Sequence, residues 1–149
     1  MPKSCCFLGH SMVYEEIKPQ LKAIIEHLIT KEGVTNFYVG TQGGFDKLVY
    51  RVLCKLEEKY PIQIIVVLAY LNREQEIPYY DFEKTIFPDL LTKTPLRFAI
   101  SKRNSYMIEN SEYLVAYINT SCSRVYTNIE HAIKKKKHII NLGKYPLPS

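Results

Sequence analysis

Asn36-Phe37-Tyr38-Val39-Gly40-Thr41-Gln42-Gly43-Gly44-Phe45-Asp46 passes from an apolar run, through a glycine-rich turn, into a longer amphipathic run. Asn36–Gly40 reads as a strand, Thr41-Gln42-Gly43-Gly44 as the turn, and Phe45–Tyr60 as a helix closed by Pro61. Leu48, Val52 and Leu56 lie on the inner face of that helix. Strand, tight turn and packed helix in direct succession are the unit from which a parallel sheet is wound.

The same alternation extends in both directions. Upstream, Ser4–Leu8 is a buried strand ending at Gly9-His10. A helix follows with Ile17, Leu21, Ile24 and Leu28 at spacings of three and four, and it stops at Lys31-Glu32-Gly33. Downstream, Ile62–Leu71 is apolar on both faces, as expected inside a helix-covered parallel sheet. Residues 72–95 carry Pro78, Pro88 and Pro95 and read as a long excursion, with a short helix around Asp81–Ile86. Leu96–Ile100 is expected as a short fourth strand, Lys102–Asn110 as a helix and Tyr113–Ile118 as a fifth strand. Ser123–Lys136 reads as a long helix with Val125, Ile129, Ala132 and Ile133 on one face, and His138–Leu142 as the last strand. The pattern predicts one α/β domain over residues 1–149. It is three-layered and Rossmann-like, with a mainly parallel sheet and helices on both faces.

Size and composition agree with a globular domain. The chain has 149 residues, 46% hydrophobic and 23% charged, enough to bury a core. Met1-Pro2-Lys3 precedes only a short apolar run before Gly9-His10, so no signal peptide is read, and Ile62–Leu71 is too short to span a bilayer. The expectation is a soluble, cytoplasmic protein with no membrane partner. Cys5, Cys6, Cys54 and Cys122 lack a C-x-x-C spacing, and Cys5 and Cys6 would face opposite sides of a strand; these are read as reduced structural thiols. The four histidines form no ligand cluster, so neither metal nor cofactor is expected. The net charge of +5 includes Lys134–Lys137 at a helix end, where cations suit the dipole. No basic stripe with interleaved aromatics appears, so nucleic acid is not the expected partner.

In an open parallel sheet the ligand sits outside the carboxyl ends of the strands, at the turns into the helices. Four turns qualify. Gly9-His10-Ser11 permits close backbone approach, or serves only as a strand exit. Gly40, Gly43 and Gly44 can wrap a phosphate or ribose, with Asp46 positioned either to accept from ribose hydroxyls or to favour the helix dipole. Arg103 can fork onto a phosphate or carboxylate, or pair on the surface with an acid such as Glu109. Ser121 or Ser123 can cap the last long helix.

At these turns the chain resembles the SLOG superfamily, a Rossmann-like group related to Lonely Guy and DprA proteins, and within it the short bacterial group that includes YpsA. The resemblance runs from Cys5 to Leu142. It is carried by Cys5-Cys6-Phe7-Leu8-Gly9-His10, Tyr38–Asp46, Arg103-Asn104-Ser105-Tyr106-Met107 and Ser111-Glu112-Tyr113-Leu114-Val115-Ala116-Tyr117. It implies binding of a nucleotide or nucleotide-derived small molecule, by Gly9, His10, Gly40, Gly43, Gly44, Asp46, Arg103, Asn104, Ser123 and Thr127, in a domain that self-associates. The Lonely Guy branch hydrolyses the N-glycosidic bond of nucleoside monophosphates with an arginine and a glutamate. Here Arg103, with Met107 at matching spacing, and Glu130, after Thr127, occupy those positions. The pattern departs elsewhere. Asn104 replaces a lysine, Cys122 a proline, and Ser123, Arg124 and Tyr126 stand where glycines would leave bare backbone around a phosphate. Ser11 stands where the short group usually carries arginine. The resemblance therefore leaves three functions: a nucleotide-binding or sensing module, an N-glycoside hydrolase with Arg103 and Glu130 (or Asp46) as working groups, and a non-catalytic interaction domain that uses some of its twelve tyrosines.

Overall fold

The computed structural model describes residues 2–13, 16–71, 79–122 and 124–148. Its centre is β1 (Lys3–Gly9), buried continuously from Ser4 to Leu8, as a strand covered on both faces must be. Cys5 and Phe7 enter one apolar layer and Cys6 and Leu8 the other, so the paired cysteines do face opposite sides. All four cysteines are unbridged. Helix α1 (Lys18–Thr30) carries proline in its first turn and buries Leu21, Ile25 and Leu28. Gly33, at φ +74, turns the chain into β2 (Val34–Val39).

Helix α2 (Gly43–Glu57) buries Phe45, Val49, Val52, Leu53 and Leu56, with Leu48 only half-buried at the edge of that face. Strand β3 (Gln63–Val67) is shorter than its apolar run; Leu68 and Ala69 stay buried as the chain leaves the sheet. The expected short helix near Asp81 is a 3-10 turn (Phe82–Lys84), capped by the Asp81 carboxylate accepting from the Glu83 N–H at 3.1 Å. Thr85–Ile86 then forms β4. The excursion returns to the body through aromatic rings. Tyr80 lies edge-on to Tyr50 of α2 at 4.7 Å, and the Tyr50 hydroxyl accepts from the Asp81 N–H at 2.9 Å.

Leu96–Ile100 is not a strand. Leu96–Phe98 is a 3-10 turn that runs straight into α3 (Ala99–Glu109). Pro95 sets the helical turn, closed by the Phe98 N–H on the Pro95 carbonyl at 2.9 Å, and Leu96 and Phe98 are exposed rather than buried on two faces. The sheet edge is supplied by β4 instead. Strand β5 (Tyr113–Tyr117) precedes α4 (Tyr126–Lys134), which is shorter at both ends than the expected helix, Arg124 and Val125 forming a turn before it. Strand β6 (His138–Asn141) completes the sheet.

Among the described residues six strands form one sheet in the order β4-β3-β2-β1-β5-β6, with every pairing parallel. Helices α1 and α2 cover the layer containing Phe7, Phe37 and Val115. Helices α3 and α4 cover the layer containing Leu8, Leu114 and Ile139. The architecture is the three-layer Rossmann-like α/β fold expected of the sequence. Among the described residues no helix is long and apolar enough to cross a membrane.

Candidate functional site

From β1 the chain winds outward through β2 and β3 to β4, then returns to lay β5 on the other side of β1. The turns after β1 and β5 therefore diverge, and a crevice opens between them at the carboxyl edge of the sheet. A cleft of about 760 Å³ occupies this position. Its walls are Leu8–Met12 at the end of β1 and just beyond it, Gln42 and Asp46 at the start of α2, Arg97, Ile100, Ser101, Arg103 and Asn104 around the start of α3, and Asn119, Thr120, Arg124, Val125 and Asn128 after β5.

Arg103 lies in the cleft wall but is only 1% exposed. Its Nε donates to Asn104 Oδ1 at 2.8 Å, and its Nη1 donates to the Val67 carbonyl at 3.0 Å and, more weakly, to Thr41 Oγ1 at 3.5 Å. The surface pairing with Glu109 does not form; Glu109 holds His131 at 2.8 Å and Lys135 at 3.7 Å. Asp46 is buried beside Arg103 and accepts from the Gln42 N–H at 2.8 Å. Burial pushes its pKa up to about 6, against the opposing pull of the Arg103 guanidinium and the Gln42 N–H.

Gly40 makes this pair fit. A Cβ there would lie 2.8 Å from Arg103 Cζ and 2.9 Å from Asp46 Oδ2. Gly43 has φ +87 and packs so closely on Ser11 that a Cβ would fall 2.6 Å from its Cα, while the Gly44 N–H donates to the Ser11 carbonyl at 2.6 Å. These three glycines serve close packing within the chain, and none lines the cleft.

His10 closes the opposite wall. Its Nε2 accepts the Asn119 N–H at 2.8 Å, which requires that nitrogen to be unprotonated, and burial lowers its pKa. Asn104 Nδ2 donates to Asn128 Oδ1 at 3.3 Å. Asn128 Nδ2 donates in turn to the Ser101 carbonyl at 3.2 Å and to Ser105 Oγ at 3.4 Å. A polar chain thus runs from Arg103 through Asn104 to Asn128 and ties α3 to α4.

Of the residues singled out in the sequence, Gly9, His10, Asp46, Arg103 and Asn104 meet in the cleft. Thr127 and Glu130 are exposed on α4 and do not line it. Ser123 lies outside the described residues. Asn128 was not anticipated, yet its signal was present: it interrupts the apolar face of Val125, Ile129 and Ala132 and is buried. Nothing in its local sequence marks Arg97, whereas Asn119 opens the last of the expected turns; residues 72–78 of the expected Leu71–Asp81 turn lie outside the described residues. Among the described residues no group of three or more His, Cys, Asp or Glu side chains is placed to hold a metal.

Topology and cleft together define a Rossmann-like α/β domain with a switch-point crevice. A family model, YpsA ("YspA SLOG family"), matches residues 5–142, and the chain belongs to that family. No curated protein sequence matches it significantly. Among solved structures, the X-ray structure of DNA processing protein A (DprA) from Streptococcus pneumoniae is similar over 98% of this chain and 52% of that one, with a TM-score of 0.68 and 13% identity. The chain spans about half the length of that protein, and the likeness at this identity is one of fold.

Proposed function

We propose that the domain binds a nucleotide or nucleotide-derived small molecule in the cleft between the β1 and β5 turns. The observation that carries this reading is the cleft itself. At about 760 Å³ it falls within the range of small-molecule sites, and it gathers Asp46, Arg103, Asn104 and Asn128 at the edge of the sheet where such folds take ligands. The amides and the carboxyl are suited to hydroxyl and ring-nitrogen partners. Isothermal titration with nucleotides, dinucleotides and cyclic nucleotides tests it. Binding to the wild-type protein, abolished in a folded Ile100→Trp variant whose indole fills the cleft, is the expected result. Absence of binding to every probe would overturn the reading.

A second reading, hydrolysis of a nucleotide N-glycosidic bond, is favoured by the raised pKa of Asp46, which makes a carboxyl in the cleft wall competent to carry a proton near neutrality. Glu130, the acid suggested by family spacing, is exposed away from the cleft. Release of free base from nucleoside monophosphates, lost in Asp46→Asn and kept in Glu130→Ala, is the outcome this reading requires. Loss in Glu130→Ala alone would move the chemistry off Asp46.

A further inference from the structure

The groups usually invoked for phosphate are already committed in this chain. Gly43 and Gly44 pack against Ser11, and Gly40 makes room for Arg103 and Asp46. Arg103 spends its Nε and Nη1 on Asn104, Val67 and Thr41. The turn after β5 carries side chains at Arg124 and Tyr126, where glycines would expose backbone. Tyr126 does not enter the cleft; its ring lies edge-on to Tyr145 at 5.5 Å.

Two other cations do face the cleft. Arg97 approaches from the turn before α3 and Arg124 from the turn before α4, so they stand on different elements of one cleft. Both are exposed, and no carboxylate of the described residues pairs with either. Arg97 rests on the Phe98 ring, 4.8 Å from its centroid, which limits the freedom it would lose on binding. With Arg103, three arginines among the described residues line the cleft against one described carboxyl, Asp46, a balance that favours an anion.

We infer that Arg97 and Arg124 form a side-chain clamp for the phosphoryl end of the ligand, in place of a backbone cradle. This rests on the nucleotide reading above and adds to it which end of the ligand is held where. The clamp reads charge at the mouth, while the buried Arg103–Asn104–Asn128 chain and Asp46 face the neutral, hydroxylated part. Guanidinium forks suit phosphoryl oxygens, and their contribution falls with salt because both are solvent-facing.

The test is calorimetric titration of wild type, Arg97→Ala, Arg124→Ala and the double variant. The probes are the common ribonucleosides, their 5′-diphosphates and inorganic pyrophosphate. The clamp requires diphosphates to bind wild type more tightly than their nucleosides. Each single variant should lose about tenfold for the diphosphate, and the double variant should bind it no better than the nucleoside, whose own affinity stays unchanged. Because both side chains are exposed, the variants are expected to fold, which circular dichroism checks. Wild-type affinity for diphosphates in the double variant, with binding still blocked by Ile100→Trp, would overturn the clamp and leave the nucleotide reading standing. Arginine-dependent binding of pyrophosphate, with no nucleotide bound, would support the clamp and overturn the nucleotide reading. No binding of any probe to wild type would overturn both.

Discussion

The carboxyl of Asp46 sits where burial and charge pairing oppose each other, and burial prevails, raising its pKa from 3.8 to about 6. The sign of the consequence follows from proton counts. Between those two values the folded state holds a proton that the unfolded state has released, so this group favours folding below the lower value. Its contribution is lost as the pH rises through the upper one. Asp46→Asn cannot titrate. From about pH 4 to about pH 7 the wild type should therefore lose about 2 to 3 kcal/mol relative to the variant, read as the difference between their urea unfolding free energies. A difference that does not change with pH would refute the assignment. Gly40 belongs to the same account. Gly40→Ala drives a methyl into Arg103 and Asp46, both buried and neither able to retreat into solvent, and should cost about 1 to 3 kcal/mol in the same assay. A variant of wild-type stability would mean that the pair has room to move.

At the scale of elements, α3 and α4 are joined by side-chain amides as well as by apolar contact. Asn128→Ala removes the acceptor for Asn104 Nδ2 and the donor to the Ser101 carbonyl and Ser105 Oγ, taking from the buried Asn104 amide its partner on α4. It should destabilise the protein by about 1 to 3 kcal/mol and speed amide exchange in α3 and α4 more than in α1. Uniform acceleration would argue against a local tie. Across the cleft, His10 joins the end of β1 to the turn after β5 through Asn119. Its lowered pKa, set by burial, means that the folded state binds fewer protons than the unfolded one near the ordinary histidine value of 6.5. The tie is therefore intact above that value and weakens as pH falls through the folded pKa. Nitrogen-15 shifts of the imidazole should show the proton on Nδ1 at neutral pH and titration below 6.5. These elements also mark where sequence reading succeeds. β1, α1, α2 and β5 were legible because apolar periodicity records burial on a known face. Leu96–Ile100 misled because an apolar run carries no sign of whether it is covered, whereas Pro95 carried the true signal of a helical start. At the site, Arg103 and Asp46 could be named from their turns. Their mutual contact across Gly40 could not, since it joins segments far apart in the sequence through tertiary packing.

For the whole molecule, one sheet serves two apolar layers, and the cleft hangs on turns from both halves of its strand order. Phe7 faces the α1–α2 layer, fully buried and stacked on Phe37 with centroids 6.2 Å apart. Met107 faces the α3–α4 layer and is equally inaccessible. The two residues share no layer, but β1 belongs to both, sending Phe7 to one side and Cys6 and Leu8 to the other. Neither layer can lose its packing without uncovering the strands that the other depends on. Phe7→Ala should therefore cost about 3 to 5 kcal/mol and Met107→Ala about 2 to 5 kcal/mol. Each should move one common unfolding transition, monitored together by tyrosine fluorescence and far-ultraviolet circular dichroism, without splitting it. Two transitions in Met107→Ala, with the α1–α2 side melting at its wild-type midpoint, would show that the layers are held independently. In that case the cleft, with walls from both sides, would open before the sheet unfolds.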